Sequence, residues 1–286
     1  MAFSIVLFLI LAMFQRSFAE SEVQLTEDQI EKLSYVIPLG ANTIFVGVVG
    51  TKNLTGMDVL ECAEAWKSDP PPGFSYDHEK RTCVPYKKIY GLIACEGVDT
   101  FLMPKESQRK VEECSSLSDE EEMEKSKEHF NSIAECMPGW TSLTSSLPPE
   151  TFCYGVVENS NNMTFEKYIS TACQSNFSTA LPASIRNQEE EEFIKEYIID
   201  KTRMEIITGL RFGTDCHKRL IWGWSDGARS TYENLNATQI REDCTGKNCS
   251  YGGLFQLGRG KQAVNYWGVV TNASLPLLCK YQLTLS

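Results

Sequence analysis

Gly223-Trp224-Ser225-Asp226-Gly227 matches the G-x-S-x-G spelling of a serine nucleophile. That chemistry needs a strand, a sharp turn and a helix around the serine, with an acid and a histidine later in the chain. The three histidines, His78, His129 and His217, all precede Ser225. The flanking tryptophans suit a core strand instead. Cys216-His217 with Cys244 and Cys249 offers four zinc-type ligands, but the spacings fit no finger pattern, and export favours disulfides. Gly258-Arg259-Gly260-Lys261 lacks the leading glycine and the trailing Ser/Thr of a phosphate loop and reads as a hairpin turn. No catalytic residue, metal site or cofactor is expected, and the chain is not read as an enzyme. A secreted enzyme or toxin-like effector would need activity that depends on Ser225.

The cysteines carry a different chemistry. Eleven in one chain point to an oxidising compartment and disulfides. The run Phe3–Phe14 is apolar and uncharged, and its twelve residues fall short of the ~20 that span a bilayer. Ser17 and Ala19 then place small residues at the positions of a secretory cleavage site. A signal peptide over 1–19 follows, with no later transmembrane segment and a secreted, extracellular mature protein. Sequons at Asn53, Asn162, Asn176, Asn236, Asn248 and Asn272 agree with a glycoprotein. The 286 residues suggest about two domains. With 27 basic against 38 acidic residues the net charge is -11, which argues against nucleic acid as a partner.

Several elements must position these groups. Thr26 to Val36 reads as a short capped helix, and Ile44–Val49 as a strand. Thr55 with Asp58 opens a helix through Cys62 and Trp66. Phe74–Tyr76, Cys83–Tyr86 and Asp99–Met103 read as strands. With Cys62, Cys83, Cys95 and Cys114 nearby, two bridges would staple a small α+β module over 20–104, their pairing left open. Residues 105–135 form an acidic, solvated helical linker capped at Ser118. Beyond it, Phe165, Ile169, Ala172 and Cys173 share one helical face. Asn187–Tyr197 is a helix with Phe193, Ile194 and Tyr197 inward and the glutamates outward.

The order from Cys136 to Gln282 resembles a C-type lectin-like domain, over about half the chain. The resemblance rests on Cys136/Trp140, Ala172-Cys173, Ile207-Thr208-Gly209-Leu210, Trp224-Ser225-Asp226-Gly227 and Leu277-Leu278-Cys279-Lys280-Tyr281. It implies an α+β fold over 136–283 with two helices, small antiparallel sheets, a long loop, and first and last strands side by side. It also implies the bridges Cys136–Cys153 and Cys173–Cys279. Less closely, the first half resembles PAN-like modules of secreted invertebrate proteins, with fewer cysteines around Cys62 than that family shows.

The family's sugar site holds calcium, which takes about six to eight oxygens. Those oxygens come from a Glu-Pro-Asn or Gln-Pro-Asp triplet in the long loop and a Trp-Asn-Asp strand. Here 228–243 contains no proline, and Gly268 and Val269 follow Trp267 where two donors would stand. Glu233, Asn234 and Asn236 remain as stray oxygen donors. The second family bridge is also broken, since Asn272 occupies one of its positions. Cys216, Cys244 and Cys249 then leave an odd thiol, open to a disulfide-linked dimer. Arg229, Arg241, Arg259 and Lys261 could form a local basic patch. The expected function is extracellular recognition of a protein or glycan ligand, in host defence. Arg229, Tyr232, Glu233, Asn234, Arg241, Tyr266 and Trp267 are its candidate contacts, because aromatics and arginine dominate binding hot spots. The alternative is a carbohydrate-binding lectin, either calcium-dependent through non-standard ligands or calcium-independent.

Overall fold

The computed structural model describes residues 36–104, 119–145, 150–159, 163–199, 205–214, 219–230, 232–235, 240, 251–257, 264–270 and 274–285. They fall into two compact units, one reaching Met137 and taking back the chain from Leu283, the other Pro138–Gln282. The proposed signal peptide, the helix from Thr26, Cys114, Cys216, Cys244, Cys249 and the 258–261 turn lie outside the described residues. Among the described residues no helix is long and apolar enough to cross a membrane.

In the first unit, β1 (Ile37–Gly40), β2 (Thr43–Val49), β4 (Gly73–Asp77), β5 (Thr82–Ala94) and β6 (Val98–Leu102) form an antiparallel sheet in the order β1-β6-β4-β5-β2, and β3 (Leu54–Thr55) adds to β5. The strands β1 and β2 end up at opposite ends of that order, although only two residues join them. The sheet therefore curls. Asn42 makes the join at φ 52°, a left-handed conformation that asparagine tolerates. Its N–H donates to Asp99 Oδ1 at 3.0 Å, and its Oδ1 accepts from the Gly97 N–H at 3.0 Å. Helix α1 (Val59–Ala65) starts with a capping box between Asp58 and Glu61, not at Thr55, which belongs to β3. It buries Val59, Cys62 and Ala63 against Phe74, Tyr76 and Phe101, and the Cys62–Cys83 disulfide fastens it to β5. Cys95 keeps a free thiol, so it does not supply the second staple expected in this module.

The acidic segment is corrected in one respect. Helix α2 (Asp119–Ile133) is not a solvated linker but part of the first unit. One face carries Phe130, fully buried and stacked 6.4 Å from Phe45, beside Ile89 and Leu102. At its end the Glu135 N–H donates to the Ile89 carbonyl at 2.9 Å, and the returning Leu285 N–H donates to Asn131 Oδ1 at 3.0 Å. Acidic residues crowd the helix, yet a few apolar ones at helical spacing are enough to dock it.

The second unit is built on β8 (Thr151–Val157) and β14 (Leu277–Gln282), antiparallel with Tyr154 opposite Lys280. The sheet runs β13-β12-β10-β14-β8-β7, using β7 (Thr141–Thr144), β10 (Ile206–Thr214), β12 (Tyr251–Leu257) and β13 (Val264–Val269). Strand β11 (Leu220–Trp224) pairs with β10, and β9 (Leu181–Pro182) with β14. Helix α3 (Phe165–Asn176) buries Tyr168, Ile169, Ala172 and Cys173. Cys173 is bonded to Cys279 across a sequence separation of 106. Cys136 and Cys153 are each disulfide-bonded. Helix α4 (Gln188–Phe193) begins at Asn187, whose Oδ1 accepts the Glu190 N–H at 2.8 Å, and continues as a π-helix over Ile194–Ile199.

Candidate functional site

The cap at Asn187 sets the phase of α4, and that phase overturns one expectation. Glu190 and Glu191 stand three residues before Phe193 and Ile194, so they turn to the same inward face. They are 1% and 5% exposed. Each anchors a separate polar network.

Glu190 is enclosed by cations. Its two oxygens accept from the Arg186 N–H at 2.7 Å and from Arg186 Nε at 2.9 Å. Arg186 also reaches Glu150 at 2.9 Å and lies 4.2 Å over the Phe152 ring. Lys280, presented by β14, donates to Ser184 Oγ at 2.7 Å and to the Ser184 carbonyl at 3.0 Å, with Glu190 3.8 Å away. Burial lowers the Lys280 pKa, and the Glu190 charge opposes that shift. Burial also lifts the Tyr154 hydroxyl well above its ordinary range, with Glu190 adding to the effect. Two cations facing two carboxylates leave this interior close to neutral, as buried charges require.

Glu191 holds the beginning of the long loop. One oxygen accepts the Trp267 indole N–H at 2.8 Å, and the other accepts the Asn234 amide at 2.6 Å. Tyr232 is pushed up to about 12 by burial, then by the Glu191 charge and a hydrogen bond to it. The Trp267 backbone N–H donates to the Asn234 carbonyl at 2.9 Å, and Leu235 forms a bridge with Trp267. Ser230 Oγ donates to the Arg186 carbonyl at 2.7 Å and accepts the Tyr232 N–H at 2.9 Å. Asp226 Oδ1 accepts the Ala228 N–H at 3.0 Å and closes the preceding turn.

The candidate contacts therefore separate. Tyr232, Asn234 and Trp267 are brought together on the Glu191 carboxylate, which faces inward and not outward. Trp267 is 1% exposed and packs on Trp224 and Tyr232, so it is a core residue and not a surface contact. Arg229 and Glu233 are exposed, and Tyr232 is half-buried. The Asn234 side-chain N–H donates to Glu191 at 2.6 Å. Tyr266 lies on β13. Arg241 and Asn236 lie outside the described residues, as do Asn162, Asn248 and Asn272. Asn53 and Asn176 are exposed. Ser225 follows β11 in a turn, its N–H donating to the Gly209 carbonyl at 2.8 Å, and 227–230 continue without a helix. The strand–turn–helix elbow of a serine nucleophile is not formed there.

No family model matches the sequence. Over 102 residues the chain is 30% identical to regenerating islet-derived protein 4 of Mus musculus, a match covering 35% of this chain and 57% of that protein. The chain thus spans little more than half the length of that relative. A crystal structure of the C-type lectin CEL-I from Cucumaria echinata aligns at 16% identity, covering 51% of this chain and 96% of the other, with a TM-score of 0.34. EMS16, an antagonist of the collagen receptor integrin alpha2beta1, aligns at 20% identity over 52% of this chain and 100% of its own, with a TM-score of 0.30. The second unit has a mixed α+β build whose strand pairing and disulfide agree with the layout expected from the sequence. Its last strand β14 pairs antiparallel with β8, and helix α3 is bonded to β14 through Cys173–Cys279.

Proposed function

We propose that this is a secreted, glycosylated recognition protein whose lectin-like unit binds an extracellular protein or glycan through the exposed residues of the 226–235 loop. The observation that carries the reading is the Glu191 clamp. Its carboxylate takes hydrogen bonds from Asn234, Trp267 and Tyr232, and so holds the loop's shape with side chains. The triplets that would cage calcium are missing from the sequence. Arg229 and Glu233 then stand outward on a pre-ordered support, which lowers the entropy cost of binding. Host defence is the biological setting that the family resemblance suggests.

A glycan array and a panel of extracellular proteins, each probed with and without chelator, test this reading. Binding that ignores chelator and falls about tenfold in Arg229→Ala or Glu233→Ala supports it. Sugar binding abolished by chelator would instead establish the calcium-dependent lectin.

A further inference from the structure

We propose that Arg211, stacked on Tyr251, binds an oxyanion, a carboxylate or a sulfate, supplied by a ligand outside this chain. The site is built from β10, β12 and α3 rather than from the long loop, and it does not rest on the reading above.

Arg211 and Tyr251 are directly opposite on the antiparallel pair β10–β12. The guanidinium carbon lies 4.0 Å from the Tyr251 ring centroid. Phe165, at the start of α3, meets that ring edge-on with centroids 4.7 Å apart. The tyrosine is thus held from two sides, with the guanidinium carbon over its face. A guanidinium stacked this way has lost most of its rotamer freedom before any ligand arrives.

Arg211 is half-buried, and among the described residues no carboxylate pairs with it. The contrast with Arg186 is direct. Arg186 is buried to a similar degree and engages both Glu150 and Glu190. Arg211 has a ring beneath it, and burial lowers its pKa with only Tyr251 acting against that. In a chain with 38 acidic residues, partners for a partly desolvated cation are not scarce. A half-buried charge is ordinarily paired. The in-plane N–H groups of a ring-stacked guanidinium suit two parallel hydrogen bonds to a carboxylate or sulfate.

The experiment is an NMR titration of the full secreted chain. The Arg211 Nε–Hε and Tyr251 ring resonances are followed during addition of sodium sulfate or sodium acetate, against sodium chloride at equal ionic strength. The expected result is a saturable shift of both resonances with at least one oxyanion and not with chloride. Comparing sulfate with acetate identifies the preferred group. Arg211→Lys keeps the charge but loses the fork, so the Tyr251 response should need roughly tenfold more anion. Arg211→Gln should abolish it, with the remaining spectrum unchanged as the control for folding. Equal shifts with chloride, or an unchanged Tyr251 titration in the glutamine variant, would overturn the proposal. If the glutamine variant does not fold, the lysine variant decides, because a wild-type titration there is incompatible with bidentate capture.

Discussion

The carboxylate of Glu191 accepts the indole N–H of Trp267 at 2.8 Å, and both residues are buried. This bond joins α4 to β13, and through Asn234 it joins both to the long loop. Replacing Glu191 with leucine leaves the Trp267 indole, the Asn234 amide and the Tyr232 hydroxyl without their acceptor. A buried orphan such as the Trp267 indole costs about 1–3 kcal/mol, and the half-buried Asn234 and Tyr232 groups cost less. Glu191→Leu should therefore destabilise the second unit by at least about 2 kcal/mol in urea unfolding and shift its tryptophan fluorescence. Glu191→Gln should cost less, because a glutamine carbonyl can still accept the indole bond. Equal losses in the two variants would mean that packing, not hydrogen bonding, holds the loop.

Glu190 and Lys280 form the second test. Removing one member of a buried charged network costs about 3–5 kcal/mol, because the opposite charge stays buried. Glu190→Gln should approach that range, since it strips compensation from both Arg186 and Lys280. Lys280→Met should cost less, because Arg186 continues to neutralise Glu190. The double variant should be more stable than the two single losses summed. A double-mutant cycle in urea measures that coupling, and strict additivity would contradict the network.

The Cys173–Cys279 disulfide closes a long loop, with a sequence separation of 106. The chain-entropy model assigns about 4.7 kcal/mol to a closure of this size. The double variant Cys173→Ala/Cys279→Ala should lose much of that stability under non-reducing conditions. Its unfolding midpoint should become insensitive to reductant at this bridge. A loss below about 1 kcal/mol would show that packing of α3 on β14 suffices without the covalent bond.

Protonation provides the fourth test, in the first unit. Burial lowers the His129 pKa below its ordinary 6.5. The unfolded chain then binds the proton more readily than the folded one. Stability contributed by neutral His129 is complete above about pH 6.5 and declines as pH falls toward the lower folded value. His129→Gln should flatten this part of the stability–pH curve. An unchanged slope below pH 6.5 in that variant would remove His129 as the cause.

The pattern Ala172-Cys173 and Leu278-Cys279-Lys280 was legible because cysteine and strand patterning are local signals. The strands at Ile44, Phe74, Cys83 and Ile206 were legible for the same reason, since period-two and β-branched runs act over a few residues. The run Gln188-Glu189-Glu190-Glu191-Glu192 misled for the opposite reason. Charge suggested an outward face, and only the phase counted from Asn187 places two of the four glutamates inward beside Phe193 and Ile194. Their partners Arg186, Lys280, Asn234 and Trp267 come from other elements, up to 90 residues away along the chain in the Glu190–Lys280 pair. The docking of α2 through Phe130 was hidden by its acidic neighbours in the same way.

The amino-acid sequence by itself determined the wealth of cysteine, many of the strand and helix segments, and the lack of proline over 228–243, because each is carried by residue types over short spans. Only the tertiary structure decided which carboxylates are buried, that Trp267 is core, and that Arg211 lies stacked on Tyr251 with no described carboxylate beside it. Burial and charge pairing depend on what distant strands bring alongside a residue, and no local stretch of chain contains that information.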